Sequence, residues 1–169
     1  MAGPSQSKKS DFLHRGRRDR LIQELDHDPY SSKKKLAEPS VCRDCGAVLQ
    51  QGRWIWDERP EHAHEVLCPA CQRINDRFPG GYLTLGGEFL GPHQQEIMNL
   101  IRNLAEDEKA ERPLKRMMEM VERDGGLVCT FTDPHLARRI GEAVHKAYQG
   151  TLDFKYTKED VLLRVAWRR

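Results

Sequence analysis

The chain has 169 residues, 38% of them hydrophobic and 32% charged, with a formal net charge of +2. That length holds one ordinary domain, or a small metal-stapled module beside a compact second one, and the composition is too apolar for disorder throughout. No apolar run approaches the roughly 18–20 residues of a membrane-spanning helix, which excludes that class. Charge is unevenly spread: +3 over residues 1–40, −1 over 41–87, −3 over 88–124 and +3 over 125–169. This asymmetry admits a nucleic-acid partner without requiring one. Four of the five cysteines stand in metal spacing and no apolar targeting run opens the chain, so a reducing, cytoplasmic setting is expected.

Residues 1–37 read as a basic arm. Arg15, Arg17, Arg18 and Arg20 are followed by Lys33, Lys34 and Lys35, and between them Leu21, Ile22 and Leu25 offer one apolar turn before Pro29. So little apolar surface does not offset the cost of ordering the chain, and the arm is expected to be mostly disordered. It either lies along phosphates or serves as a solvated tail.

Residues 38–78 carry the firmest signal. Cys42-Arg43-Asp44-Cys45 and Cys68-Pro69-Ala70-Cys71 are two Cys-x-x-Cys pairs with twenty-two residues between them. Each pair can aim two sulfurs at one point while backbone amides solvate the thiolate charge, which is what a tetrahedral zinc ion requires. Gly46 suits a knuckle needing positive φ, and Pro69 stiffens the second turn. Gly52 to Trp56 reads as a strand with Trp54 and Trp56 on one face, covering a small core, packing on the next domain or offering a stacking surface. Four cysteines leave no open coordination position, so one structural Zn2+ held by Cys42, Cys45, Cys68 and Cys71 is predicted. His62 and His64 are assigned to a loop. The unit is a zinc ribbon whose folding depends on metal.

Residues 79–169 form the second domain. Tyr82 to Leu85 reads as a strand after Pro79-Gly80-Gly81, and Ile97, Leu100, Ile101 and Leu104 recur at helical spacing after Pro92. Glu106 to Glu108 continue that helix as a solvated acidic face, which Pro113 ends. Leu114, Met117, Met118 and Val121 suggest a second short helix, stopped by Gly125-Gly126. Leu127 to Thr132 is the best strand in the chain, with Cys129 facing inward as a small apolar residue. Asp133-Pro134 then caps a helix running to Gln149, stopped by Gly150. Its outer side carries Arg138, Arg139 and Lys146, either merely solvated or contacting phosphates. A closing hairpin alternates Leu152, Phe154 and Tyr156 with Val161, Leu163, Val165 and Trp167, and sets Lys155, Arg164 and Arg168 on its other face. The sum is an α+β chain: a disordered basic arm, a four-cysteine zinc ribbon, then a two-layer α/β sandwich in the order β-α-α-β-α-β-β with helices on one side of a mixed sheet.

With these motifs in place, the chain resembles a group of small uncharacterised bacterial proteins. They carry Cys-x-x-Cys-Gly, Gly-Arg-Trp, Cys-Pro-x-Cys and His-Leu-Ala-Arg-Arg-Ile-Gly in that order; here these are Cys42–Gly46, Gly52–Trp54, Cys68–Cys71 and His135–Gly141. More loosely, it is similar to part of the large-ribosomal-subunit nuclear-export adaptor family (nonsense-mediated decay protein 3 and its archaeal relatives). There, cysteine-pair zinc modules precede a domain with an Ala-Arg-rich helix, matched here by Ala137-Arg138. This chain has a single pair of Cys-x-x-Cys motifs, so export is not implied. The resemblance implies ribosome or structured-RNA binding.

The function expected from the sequence is non-enzymatic RNA binding, with the ribosome as the expected partner. The basic arm, the Arg138-Arg139 helix and the Lys155, Arg164 and Arg168 face would meet phosphates. The alternative is a protein–protein adaptor with a structural zinc, docking through the acidic 96–124 region or the tryptophan strand. An enzyme built on His62, His64, His93 or His135 finds no nucleophile motif, phosphate loop or open metal site in support. No membrane and no small-molecule substrate are expected.

Overall fold

A computed structural model describes residues 28–30, 35–157 and 162–169. The expected disordered arm lies mostly outside the described residues. Asp28 and Tyr30 do not: the Arg73 guanidinium donates to Asp28 Oδ1 at 2.6 Å and lies 4.5 Å from the Tyr30 ring, which holds this short stretch on the ribbon.

The first sheet is built from four three-residue strands, β1 (Ser40–Cys42), β2 (Val48–Gln50), β3 (Arg53–Ile55) and β4 (His64–Val66), in the order β3-β2-β1-β4. β1 runs antiparallel to β2 and parallel to β4. β1 and β2 bury Val41, Val48 and Leu49. Cys42, Ala47, Cys68, Ala70 and Cys71 make a separate buried cluster beside them, in which sulfur is the main filling. Helix α1 (Pro69–Asn75) follows, with Pro69 in the first turn, where a missing N–H breaks no hydrogen bond. The second cysteine pair therefore opens a helix instead of forming an isolated turn.

The second sheet comprises β5 (Gly81–Gly86), β6 (Met117–Arg123), β7 (Gly126–Phe131), β8 (Thr151–Thr157) and β9 (Leu162–Arg168), in the order β6-β7-β5-β9-β8. β5 is antiparallel to β7 and parallel to β9, giving a mixed sheet. Helices α2 (Leu90–Glu111) and α3 (Pro134–Tyr148) cover one face. Leu83, Leu85, Leu127, Cys129, Phe131, Leu163, Val165 and Trp167 point from the sheet into a core shared with Ile97 and Ile101 of α2 and Leu136, Ile140 and Val144 of α3. Alternation turns Tyr82, Thr84, Val128, Thr130, Arg164, Ala166 and Arg168 to the other face, which neither α2 nor α3 covers. Asp133 Oδ1 accepts from the Leu136 amide at 2.9 Å, the N-cap expected from Asp133-Pro134.

Two expectations change. The helix expected over 114–124 is the strand β6, paired with β7 so that Arg123 faces Gly126. The second domain thus runs β-α-β-β-α-β-β. The acidic face of α2 is also not wholly solvated: Glu108 is 4% exposed and accepts from Arg112 Nη1 at 2.9 Å and from Arg139.

Candidate metal centre and basic sheet face

The first cysteine pair sits on a tight knuckle at the end of β1. Gly46 has φ of 77° and its amide donates to the Cys42 carbonyl at 2.8 Å, while the Cys42 amide donates to Ala47. This turn brings Cys45 back toward Cys42. The second pair comes from the start of α1, where the Cys68 sulfur accepts from the Cys71 amide at 3.4 Å. The Cys68 amide in turn donates to the Cys42 sulfur at 3.3 Å. Parallel pairing of β1 with β4, Cys42 opposite Val66, delivers the second pair beside the first.

The four ligand atoms lie within 4.8 Å of one another, and Cys45 Sγ is 3.8 Å from Cys68 Sγ. A tetrahedral ion at about 2.3 Å from each sulfur places the sulfurs about 3.8 Å apart, so the pocket is of the right size. All four are free thiols; Cys42, Cys68 and Cys71 are buried and Cys45 is half-buried. Such a set suits a thiophilic metal, and Cys42, Cys45, Cys68 and Cys71 are arranged as a candidate metal site.

Electrostatics sharpen that conclusion. Burial opposes ionisation of Cys42, but the amides of Cys68, Cys45 and Asp44 outweigh it and hold the thiol down at about 7. Burial pushes Cys68 up, and pushes Cys71 up to about 11 against the pull of hydrogen bonds from Cys68 and Arg116. Cys68 and Cys71, whose burial disfavours the thiolate, would ionise more readily with a cation among the sulfurs.

One cation is supplied by the protein. Arg116 is 8% exposed. Its Nη2 lies 3.0 Å from Cys45 Sγ and 3.9 Å from Cys68 Sγ, and Nη1 lies 3.4 Å from Cys71 Sγ. Nε donates to the Pro113 carbonyl at 2.6 Å and the backbone amide donates to Thr132 Oγ1 at 2.9 Å, so the guanidinium is held from the second sheet. Burial opposes its charge, yet bonding to Cys45 and Cys71 outweighs this and raises its pKa. Sequence reasoning missed Arg116. It stands 45 residues from Cys71, in a stretch read as a helix, and no periodic signal joins them.

Trp54 and Leu114 pack on the sulfur cluster. The Trp56 indole donates to the Lys109 carbonyl at the end of α2 at 2.6 Å, and Arg116 lies 5.7 Å from its ring. Both tryptophans thus serve the junction between ribbon and second sheet. His62, with φ of 58°, is in the loop as expected, while His64 is an exposed residue of β4.

The basic residues divide. Arg15, Arg17, Arg18, Arg20, Lys33 and Lys34 lie outside the described residues; Lys35 is exposed. On α3, Arg138 pairs with Glu142 at 2.8 Å and lies over Phe154, and Arg139 pairs with buried Glu108; Lys146 is exposed. Lys155, Arg164 and Arg168 fall on the uncovered sheet face, Lys155 opposite Arg164 across the β8–β9 pair. Register adds Arg123 on β6, which the sequence did not single out. These four have no ion-pair partner among the described residues. The Arg164 guanidinium stacks 4.9 Å over the Tyr82 ring, and a groove of about 470 Å³ is lined by Arg77, Arg123 and Glu119 together with Tyr82, Met118, Val121 and Val128. The structure therefore brings the hairpin cations together and sets the α3 cations in the opposite layer.

Among the described residues no helix is long and apolar enough to cross a membrane. No family model, curated protein or solved structure matches the chain.

Proposed function

We propose that this chain is a non-enzymatic, cytoplasmic RNA-binding protein with one structural zinc ion in its four-cysteine centre, and that RNA lies across the uncovered face of the second sheet. Ribosomal RNA is the first candidate, in line with the resemblance carried by the cysteine pairs and the Ala137-Arg138 helix. One observation carries the reading: Lys155, Arg164, Arg168 and Arg123 share that face without an ion-pair partner among the described residues, beside the apolar floor of Tyr82 and Val128. Unpaired cations beside an apolar, partly aromatic floor offer phosphate contact and base stacking together. Zinc suits the four thiolates, and with all its positions taken by sulfur it rigidifies without catalysing. The α3 arginines, already engaged with Glu142 and Glu108, contribute less.

The test is equilibrium binding of the zinc-loaded chain to fluorescent ribosomal RNA fragments. About four phosphate contacts to single-stranded RNA make affinity fall roughly 50-fold between about 50 and 200 mM salt. Replacing Lys155, Arg164 and Arg168 together with Glu removes binding, whereas Arg138→Ala changes it little. Binding indifferent to salt and to the triple substitution would sink the reading and move the weight to a protein partner.

A further inference from the structure

The ribbon and the second sheet meet at the sulfur cluster, on which Leu114 packs and toward which Arg116 points. A divalent ion with four thiolates carries a net charge of −2 (four times −1, plus 2), buried on one side and facing the second sheet on the other. The charge facing it is Arg116, which reaches three of the four sulfurs through its two Nη atoms. Arg116 has no carboxylate partner among the described residues. A buried guanidinium without a counter-charge is strongly destabilising, and one matched to a gathered set of thiolates is not. The remaining contacts across the junction cluster around the same point: Trp54 and Leu114 on the sulfurs, and the Trp56 indole on the Lys109 carbonyl.

We infer that Arg116 is the charge partner of the loaded metal centre, so that metal occupancy holds the ribbon against the α/β unit. Loaded, the sulfurs converge and present their charge to the Arg116 fork. Emptied, the sulfurs lose the ion that keeps them as thiolates, Arg116 is left buried against neutral thiols, and the ribbon leaves its seat while the second sheet keeps its core. Arg116 is then a positioning residue: it touches ligand sulfurs and never the metal.

The three tryptophans supply a direct readout. Trp56 Nε1 bonds across the junction, whereas Trp167 Nε1 bonds to the Gln149 carbonyl inside the second unit. In the full chain, labelled with 15N and shown by metal analysis to hold about one zinc ion, chelation is expected to shift the Trp56 indole signal and leave that of Trp167 in place. Adding zinc back restores it. An unmoved Trp56 signal overturns the inference, as does a shift of both, which would make the metal a support of the whole fold. Zinc-free protein as purified overturns it together with the structural-zinc reading. In a second arm, Arg116→Met and Arg116→Lys are titrated with zinc. Loss of charge in the Met variant is expected to weaken zinc roughly 10–100-fold with one ion still bound at saturation, and Lys recovers part of that loss. A Met variant that binds as well as the Lys variant would assign Arg116 to packing alone.

Discussion

Cys129 shares its chemistry with Cys42, Cys45, Cys68 and Cys71 but not its surroundings. It sits fully buried on β7 among Leu83, Ile101 and Leu163, with no second thiol beside it, and burial pushes its pKa from 9.0 up to about 12 despite the opposing charge of Arg102. A thiol that the folded chain keeps protonated and the unfolded chain does not has a definite consequence. From about pH 9 to about pH 12 the unfolded state has given up a proton that the folded state retains, so stability falls as pH rises through that window, by at most about 1.4 kcal/mol per unit. Below it this residue contributes no slope. Urea unfolding at a series of alkaline pH values is expected to show the decline in the wild type and a shallower one in Cys129→Ala. Parallel curves would mean that the folded thiol ionises normally. The inward face of Cys129 was legible because β7 alternates cleanly. Arg116, also buried, was not, since its sulfur partners come from another unit.

At the scale of elements, β6 shows why a pattern can mislead. Its register shifts between Met117 and Glu119, so the alternation slips by one residue. Met117 and Met120 both pack on the core, and a spacing of three is what a helix would show. The turn after it was the better guide. Asp124 and Gly125 have φ of 52° and 74°, the two-residue hairpin turn that Asp-Gly favours, and not a helix stop. A Cβ at Gly125 would meet nothing within 4 Å, so any penalty there comes from the backbone. Gly125→Val is expected to cost about 1–3 kcal/mol, while Gly125→Asn, which tolerates the left-handed region, recovers most of it. Chemical denaturation of the two variants checks the ordering. Gly141 has the opposite reason: its Cβ would lie 2.7 Å from Val165 Cγ1, so there it is close packing of α3 on β9 that requires glycine.

For the whole molecule, two cores of different kinds sit side by side. The second sheet is filled by aliphatic and aromatic side chains, while the ribbon centres on its four sulfurs, with Val41, Val48 and Leu49 buried in its strands; under the structural-zinc reading its folding is tied to the metal. Cys68→Ser is therefore expected to lose zinc and open residues 38–78 to proteolysis while the 81–168 sheet stays resistant. Cys129→Ser, although it places a hydroxyl in the core, is expected to keep its zinc. Equal metal loss from the two variants would contradict the assignment of the centre. The same division separates binding from folding, because Lys155, Arg164 and Arg168 lie on the aliphatic unit and removing them leaves both cores untouched.

The sequence by itself determined the four-thiolate centre, the α+β class, the strand of Cys129 and the capped helix from Pro134. Each is written in neighbouring residues: paired spacing, a period of two, an Asp-Pro start. Tertiary structure decided the rest. It placed Arg116 of one unit against the sulfurs of the other, turned 117–123 into an edge strand by pairing it with β7, buried Glu108 under Arg139, and gathered Arg123 with the hairpin cations on one face. These are contacts between residues far apart along the chain, formed because packing brings their elements together, and no local pattern encodes which distant charge a buried group will meet.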